Sequence, residues 1–160
     1  LLQHDMDATP LFPRFELPGL GVSRLYPPAD LTGLIHAAVT KAIASQALSS
    51  LPLQHLGLEH TPTVHLGFII SGDQFINSTT AVHALRDALP DALAVEMEGA
   101  AVAQVCHDFD VPYAVIRTIS DRADDAAHVD FPRFIETVAR HYSLAVIQGV
   151  LSTLLLSNRV

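Results

Sequence analysis

Three short apolar runs constrain the fold of this chain more than any other feature of its sequence. They are TVHLGFIIS (63–71), DALAVEM (91–97) and PYAVIRTIS (112–120), and their apolar residues are largely continuous rather than alternating. A continuous apolar strand is one that is covered on both faces, whereas an alternating strand has one wet face. Because helical patterns separate the runs, the sequence predicts a three-layer α/β/α fold with a central, mostly parallel or mixed sheet.

Helical periodicity fills most of the chain between and after these runs. The predicted helices are LTGLIHAAVTKAIASQAL (31–48) with Asp30 as N-cap, a segment capped by Ser78 or Thr79 that runs to about Ala88, EGAAVAQVCHDF (98–109), and FPRFIETVARHYSLAVIQGVLSTLLL (131–156) with Pro132 in its first turn. The first 29 residues contain five prolines, too many for a ladder strand or a helix. We therefore expect residues 1–29 to form an extended or looped arm within one domain that spans 1–160.

Composition narrows the class of protein. With 160 residues, 49% of them apolar, the chain can bury a substantial core, which excludes disorder. The net charge is -8 with only 9 lysines and arginines, so no basic stripe is expected to bind nucleic acid. The longest apolar stretch, SLAVIQGVLSTLLL (143–156), is interrupted by polar residues and is too short to span a membrane. A small organic ligand is the expected partner.

Cysteine and histidine usage argues against disulfides and metals. Cys106 is the single cysteine, which agrees with a reducing cytoplasm and with a role in core packing. His4, Asp5 and Asp7 lie in QHDMD, but one such cluster in a proline-rich arm is weak evidence for a metal site. The expectation is that the protein holds no metal and no cofactor.

Each of the three apolar runs ends in polar or aromatic residues, in the segments SGDQFIN, VEMEG and RTISD. In open parallel sheets, ligands bind beyond the carboxyl ends of the strands, so these endings are expected to form one site. Two structural alternatives stay open at this point. Asp121 is able to cap a local turn, and Glu98 is able to stabilise a helix start as an anion.

The order and spacing of four motifs resemble a known family. SGDQFIN, AVEMEGAAVAQVC, VPYAVIRTISDRAD and QHDMDATPLFPRFELPG are similar to motifs of the 5'-methylthioadenosine/S-adenosylhomocysteine nucleosidases, in the purine nucleoside phosphorylase superfamily. The resemblance covers nearly all 160 residues and leaves out the family's amino-terminal portion. It implies a nucleoside phosphorylase-like fold that corresponds to the carboxyl-terminal two-thirds of such an enzyme and is incomplete at the amino terminus.

The activity implied by the resemblance is hydrolysis of an N-glycosidic bond, which releases adenine and a thioribose. Adenine leaves more readily once its N7 is protonated, so the site needs an acid that keeps its proton near neutral pH. Asp121 is the expected acid, because burial favours the protonated form of a carboxyl group. Ser120 is expected to orient this carboxyl by hydrogen bonding. By the resemblance, Arg117 is expected to lie near the same carboxyl and to fix its geometry.

Substrate-binding residues follow from the same resemblance. Glu98 corresponds to the glutamate that accepts hydrogen bonds from the ribose hydroxyls, and a carboxylate there also stabilises positive charge on the sugar. Met97 is expected to lie against the ribose and Phe75 to stack on adenine. The Ile76 backbone is expected to read the purine edge, and Phe131 to close the site. For Phe75, Ile76 and Phe131 core packing is the structural alternative.

The resemblance also implies a homodimer. The arm would cross the dimer interface and contribute Leu11 and Phe12 to the thioether pocket of the neighbouring subunit. Two other functions stay open: a phosphate-dependent nucleoside phosphorylase of the same superfamily, and a fragment that binds a nucleoside without turnover. The isolated 160 residues are expected to be inactive, because the family's water-activating glutamate lies in the portion outside the resemblance.

Overall fold

A computed structural model of the chain describes residues 1–44, 62–123, 132 and 134–157. Its helices and strands are, in chain order, β1 (Leu2–Gln3), α1 (Ala29–Ile43), β2 (Phe68–Ser71), α2 (Thr79–Ala88), β3 (Ala92–Glu96), α3 (Gly99–Asp108), one π-helical turn (Ile135–Ala139) and α4 (Arg140–Ser157).

The strands form a parallel sheet in the order β1-β2-β3. Leu2 pairs with Ile70 and Gln3 with Ser71, while Ser71 pairs on its other side with Glu96. These pairings confirm the predicted parallel sheet and bring the carboxyl ends of β2 and β3 side by side.

Strand β1 lies inside the arm that the sequence predicted to contain no strand. The prediction was wrong at this point because the prolines begin only at Pro10, so Leu2 and Gln3 are unaffected by them. From residue 4 to 28 the arm contains neither helix nor regular strand, with one antiparallel bridge between Leu17 and Val22.

The third predicted strand, PYAVIRTIS, forms no strand among the described residues. Its residues Tyr113 and Val115 nevertheless pack against the buried cluster that contains Leu17, Leu25 and Ala103. The apolar pattern therefore predicted burial correctly. Strand pairing was wrongly predicted, because a ladder also requires a neighbouring backbone at hydrogen-bonding distance, which an apolar pattern does not specify.

The helices agree with the predicted periodicity more closely than with the predicted caps. Ser78 caps α2 by accepting a hydrogen bond from the Ala81 N–H at 3.3 Å, as predicted. Helix α1 begins at Ala29, so Asp30 lies in its first turn rather than at the cap position. The predicted extension of α1 to residue 48 lies outside the described residues. No helix in the described ranges is long and apolar enough to cross a membrane.

The chain divides into two compact units. The first comprises residues 1–28, 67–115 and 122–126, and the second comprises 29–66, 116–121 and 127–160. The first unit contains the sheet, α2 and α3, with Leu2, Ile70 and Leu89 in one of its buried clusters. A single domain that spans 1–160 stays a prediction.

In the second unit α1 packs against α4. The two helices share a buried cluster of Ala38, Val39, Val146 and Val150. A Cβ placed on Gly149 would lie 3.0 Å from the Ala42 Cβ, so the absence of a side chain at Gly149 lets the helices approach closely.

Candidate active site

The ends of β2 and β3 are joined by a polar network that includes the start of α3. The buried Ser71 hydroxyl donates to Glu96 Oε1 and accepts the Ala100 N–H at 2.7 Å. The Glu96 carboxylate also accepts the Gly99 N–H, with 2.9 Å to each oxygen, and the Glu98 N–H at 3.1 Å. An anion at a helix N-terminus is favourable, because the first N–H groups of a helix have no partners within it.

This network bears on the structural interpretation of Glu98. The sequence left open that Glu98 is the anion that stabilises the helix start, but Glu96 fills that role. Glu98 is the N-cap residue of α3 through its backbone, and its side chain makes no capping hydrogen bond. The carboxylate of Glu98 is exposed beside Met97, which is also exposed.

Residues 72–78, between β2 and α2, form a loop with neither helix nor strand, which we call the 72–78 loop. Phe75 is 45% exposed there, whereas Ile76 is only 8% exposed. The Gly72 N–H donates to the Glu96 carbonyl at 3.1 Å, so the loop begins directly beside the end of β3. Core packing is thus consistent with Ile76 but not with Phe75, whose ring is accessible.

In the second unit, Ser120 and Asp121 form a pair. The Ser120 hydroxyl donates to Asp121 Oδ2 at 2.6 Å, and both side chains are half-buried. Arg117, four residues earlier, is exposed. A serine held this close fixes the orientation of the neighbouring carboxyl group.

The predicted site residues are thus divided between the two units. Those in the first unit are Leu11, Phe12, Phe75, Ile76, Met97 and Glu98, and those in the second are Arg117, Ser120 and Asp121. Within the first unit, strand pairing brings together the 72–78 loop and the segment that carries Met97 and Glu98. Phe131 lies outside the described residues.

The arm exposes the two apolar residues that were predicted to reach a neighbouring subunit. Leu11 is 84% exposed and Phe12 is 36% exposed. A cleft farther along the arm is lined by Arg14, Val22 and Tyr26, among others, and contains none of the predicted site residues.

Sequence reasoning missed Ser71, Glu96 and the two residues of the arm that touch the 72–78 loop. Asp5 accepts the Asp73 N–H at 2.7 Å, and the His4 N–H donates to the Ser71 carbonyl at 2.7 Å. The available signal was a polar residue at the end of each strand, but the sequence does not state which polar residue caps the helix. Within the described ranges, no group of three His, Cys, Asp or Glu side chains is arranged to hold a metal ion.

Comparison with known proteins agrees with this architecture. The family model described as "Phosphorylase superfamily" matches residues 1–152. A 5'-methylthioadenosine/S-adenosylhomocysteine nucleosidase from Neisseria meningitidis, in complex with methylthio-immucillin-A, is 28% identical with a TM-score of 0.76. Alignment with it covers 94% of this chain and 57% of that one.

Two Helicobacter pylori structures are similar to the same extent. The futalosine hydrolase of strain 26695 is 30% identical, with a TM-score of 0.73, and the alignment covers 94% of this chain and 56% of that one. The 5'-methylthioadenosine/S-adenosylhomocysteine nucleosidase with butyl-thio-DADMe-Immucillin-A is 31% identical, with the same TM-score and the same coverage. The chain therefore spans less than two-thirds of the length of these relatives. Its parallel sheet with flanking helices is a nucleoside phosphorylase-like fold, and the chain belongs to the phosphorylase superfamily.

Proposed function

We propose that this chain carries the acid and the nucleoside-binding groups of an N-glycosidic hydrolase. The substrates would be 5'-methylthioadenosine and S-adenosylhomocysteine, and the products adenine and the corresponding thioribose. The observation that carries the proposal is the 2.6 Å hydrogen bond from Ser120 to Asp121, which orients a half-buried carboxyl group in a chain of this superfamily. Three solved nucleosidases or hydrolases with the same fold support the reaction class.

Asp121 acts as the general acid. It gives its proton to adenine N7, so that the base leaves neutral while the glycosidic electron pair goes to the purine. The ribose then carries oxocarbenium character until water adds to its anomeric carbon. The hydroxyl of Ser120 holds the carboxyl in place, and Arg117 lies near this carboxyl and helps to fix its geometry.

Glu98 accepts hydrogen bonds from the ribose 2'- and 3'-hydroxyls. Its negative charge also stabilises the positive charge that develops on the sugar ring in the transition state. The assignment is supported by the division of work between two neighbouring carboxylates, since Glu96 already holds the start of α3. Met97 adds an apolar contact beneath the ribose.

The purine is recognised by the 72–78 loop. The accessible Phe75 ring stacks on adenine, and the Ile76 backbone hydrogen-bonds to the purine edge while its side chain anchors the loop in the core. Phe131 closes the site. In a homodimer, Leu11 and Phe12 of a second copy line the pocket for the 5' substituent, which agrees with their exposure in a single chain.

The test is to express the protein from its complete reading frame and to measure base release by chromatography. Methylthioadenosine, adenosylhomocysteine, 5'-deoxyadenosine and futalosine serve as substrates, each with and without phosphate. We expect phosphate-independent release of adenine, fastest from the two thio-substituted nucleosides. Phosphate-dependent formation of ribose 1-phosphates would identify a phosphorylase instead. Tight nucleoside binding without turnover of any substrate would identify a binding protein and refute the hydrolase.

We propose further that residues 1–160 alone do not complete the reaction. Asp121 serves the base, Glu98 the ribose and Glu96 the helix start, so none of these three carboxylates remains to activate water. Expression of 1–160 beside the full reading frame, with adenine release and solution mass as readouts, tests this. Turnover by 1–160 at a rate comparable to the longer protein would contradict it. The same mass measurement tests the homodimer, and fractionation of the source cells tests the cytoplasmic location.

A further inference from the structure

The 72–78 loop has to be rigid if its backbone reads a purine. Hydrogen-bonding groups that recognise a ligand need to be held within roughly 0.5 Å of their working positions. The loop has no internal helix or strand, so the groups that hold it lie elsewhere in the first unit. On one side it is tied to β3 through the Gly72 N–H.

On the other side the loop is held by Asp5. One carboxylate oxygen, Oδ2, accepts the Asp73 N–H at 2.7 Å, and the other, Oδ1, accepts the Gln3 side-chain amide at 2.5 Å. Burial by itself would raise the pKa of Asp5, but the hydrogen bonds from Asp73 and Gln3 lower it below its usual value. The contact with Asp73 is therefore charge-assisted at neutral pH, which makes it stronger than an ordinary backbone hydrogen bond.

His4 holds the loop through a backbone hydrogen bond and through packing of its ring. Its N–H donates to the Ser71 carbonyl at 2.7 Å, which extends the pairing of β1 with β2 by one residue. Its imidazole is buried and lies so close to Gly72 that a Cβ at position 72 would overlap the ring at Nε2 and Cε1. Nε2 has no hydrogen-bond partner among the described residues, so packing on Gly72 is the contact that the ring makes with the loop.

We infer that His4 and Asp5 are positioning residues for purine binding, which act by holding the 72–78 loop at Gly72 and Asp73. The inference rests on the proposed function for the role of the loop, although the contacts themselves do not. It is specific to these two residues. Asp7, two positions later, accepts hydrogen bonds from Thr9 and lies 3.9 Å from Arg14, and these contacts among the described residues lie within the arm.

The experiment compares Asp5→Ala and Asp5→Asn, with Asp7→Ala as the matched control, in the protein expressed from its complete reading frame. Asp5→Ala removes the acceptor for Asp73, so the KM for methylthioadenosine and the dissociation constant for free adenine should rise about tenfold or more. Asn keeps an acceptor oxygen, so Asp5→Asn should stay within about threefold of the parent. Asp7→Ala should match the parent, and kcat should change less than KM in all three variants.

Hydrogen exchange of residues 72–78 gives a readout that does not depend on activity. We expect faster exchange in this loop for Asp5→Ala and an unchanged rate for Asp7→Ala. If the parent protein releases no base but Asp5→Ala still loosens the loop, the proposed function fails and the positioning contact stands. If the parent is active and Asp5→Ala changes neither loop exchange nor adenine affinity, the positioning role is refuted. A uniform loss of kcat and thermal stability with unchanged KM would show a merely structural role, and would refute it equally.

Discussion

The carboxyl ends of β2 and β3 differ sharply from the segment 112–121, although the sequence presents all three as apolar runs that end in polar residues. At β2 and β3, ladder pairing and the Ser71–Glu96 network fix the positions of the polar groups. Segment 112–121 has no ladder among the described residues, and its polar end is organised locally by the bond between Ser120 and Asp121. An apolar pattern therefore predicts which segments are buried, while hydrogen-bond partners decide how their ends are held.

The largest effect is expected at the polar end of segment 112–121, from Asp121→Asn in the complete protein. The amide keeps the shape of the side chain and its contact with Ser120, but it cannot deliver a proton to the purine. Turnover of methylthioadenosine should fall about 100 to 10,000-fold, with adenine binding largely retained. Asp87→Asn, an exposed carboxylate on α2, serves as the control. Rates within tenfold of the parent at saturating substrate would remove Asp121 from the role of acid.

A matched pair of substitutions, Glu98→Gln and Glu96→Gln, separates binding from helix capping at the end of β3. Glu98→Gln should lower kcat/KM roughly ten- to hundredfold, because it weakens recognition of the ribose hydroxyls and removes charge beside the sugar. Glu96→Gln should instead lower the free energy of unfolding by about 1 to 3 kcal/mol, because it weakens hydrogen bonds to a charged group. Kinetics and urea unfolding of both variants check this. If Glu98→Gln lowered stability and Glu96→Gln lowered kcat/KM, the roles assigned to the two glutamates would be reversed.

Enlarging Gly72 and then shortening His4 tests how closely these two residues pack at the end of β2. In Gly72→Ala the new methyl group overlaps the His4 ring, and the free energy of unfolding should fall by about 1 to 3 kcal/mol. The double variant His4→Ala/Gly72→Ala should recover part of that loss, since the methyl group enters space that the ring has left. Additive losses in urea unfolding would indicate that His4 and Gly72 are not in direct contact.

The smallest expected effect is on the pH dependence of the free energy of unfolding, through His4. Burial lowers the pKa of His4, although the Asp5 carboxylate and a backbone hydrogen bond act in the opposite direction. The unfolded chain binds the proton more readily, so the contribution of neutral His4 is complete above about pH 6.5 and is lost as the pH falls towards the folded-state pKa. Between about pH 7.5 and pH 5, the free energy of unfolding measured in urea should fall less for His4→Gln than for the parent. An equal fall in both proteins would contradict the lowered pKa of His4.

The sequence determined much of the fold of this protein. Two continuous apolar runs separated by helical periodicity predicted strands β2 and β3, and the polar side chain of Ser78 predicted the start of α2, because both signals depend on neighbours in the chain. The order of four motifs, two of which contain Glu98 and Asp121, identified the family, since motif order survives where overall identity is 28% to 31%.

Only the tertiary structure decided which partners complete each local signal. It assigned the start of α3 to Glu96, whose carboxylate also accepts a hydrogen bond from the hydroxyl of Ser71, a residue 25 positions away in sequence. It placed Leu2 and Gln3 in the sheet and His4 and Asp5 against the 72–78 loop, contacts that join residues 68 positions apart. It left 112–120 without strand pairing among the described residues, because a ladder depends on a second backbone. A sequence records what each residue is able to bind, and the fold determines which group reaches it.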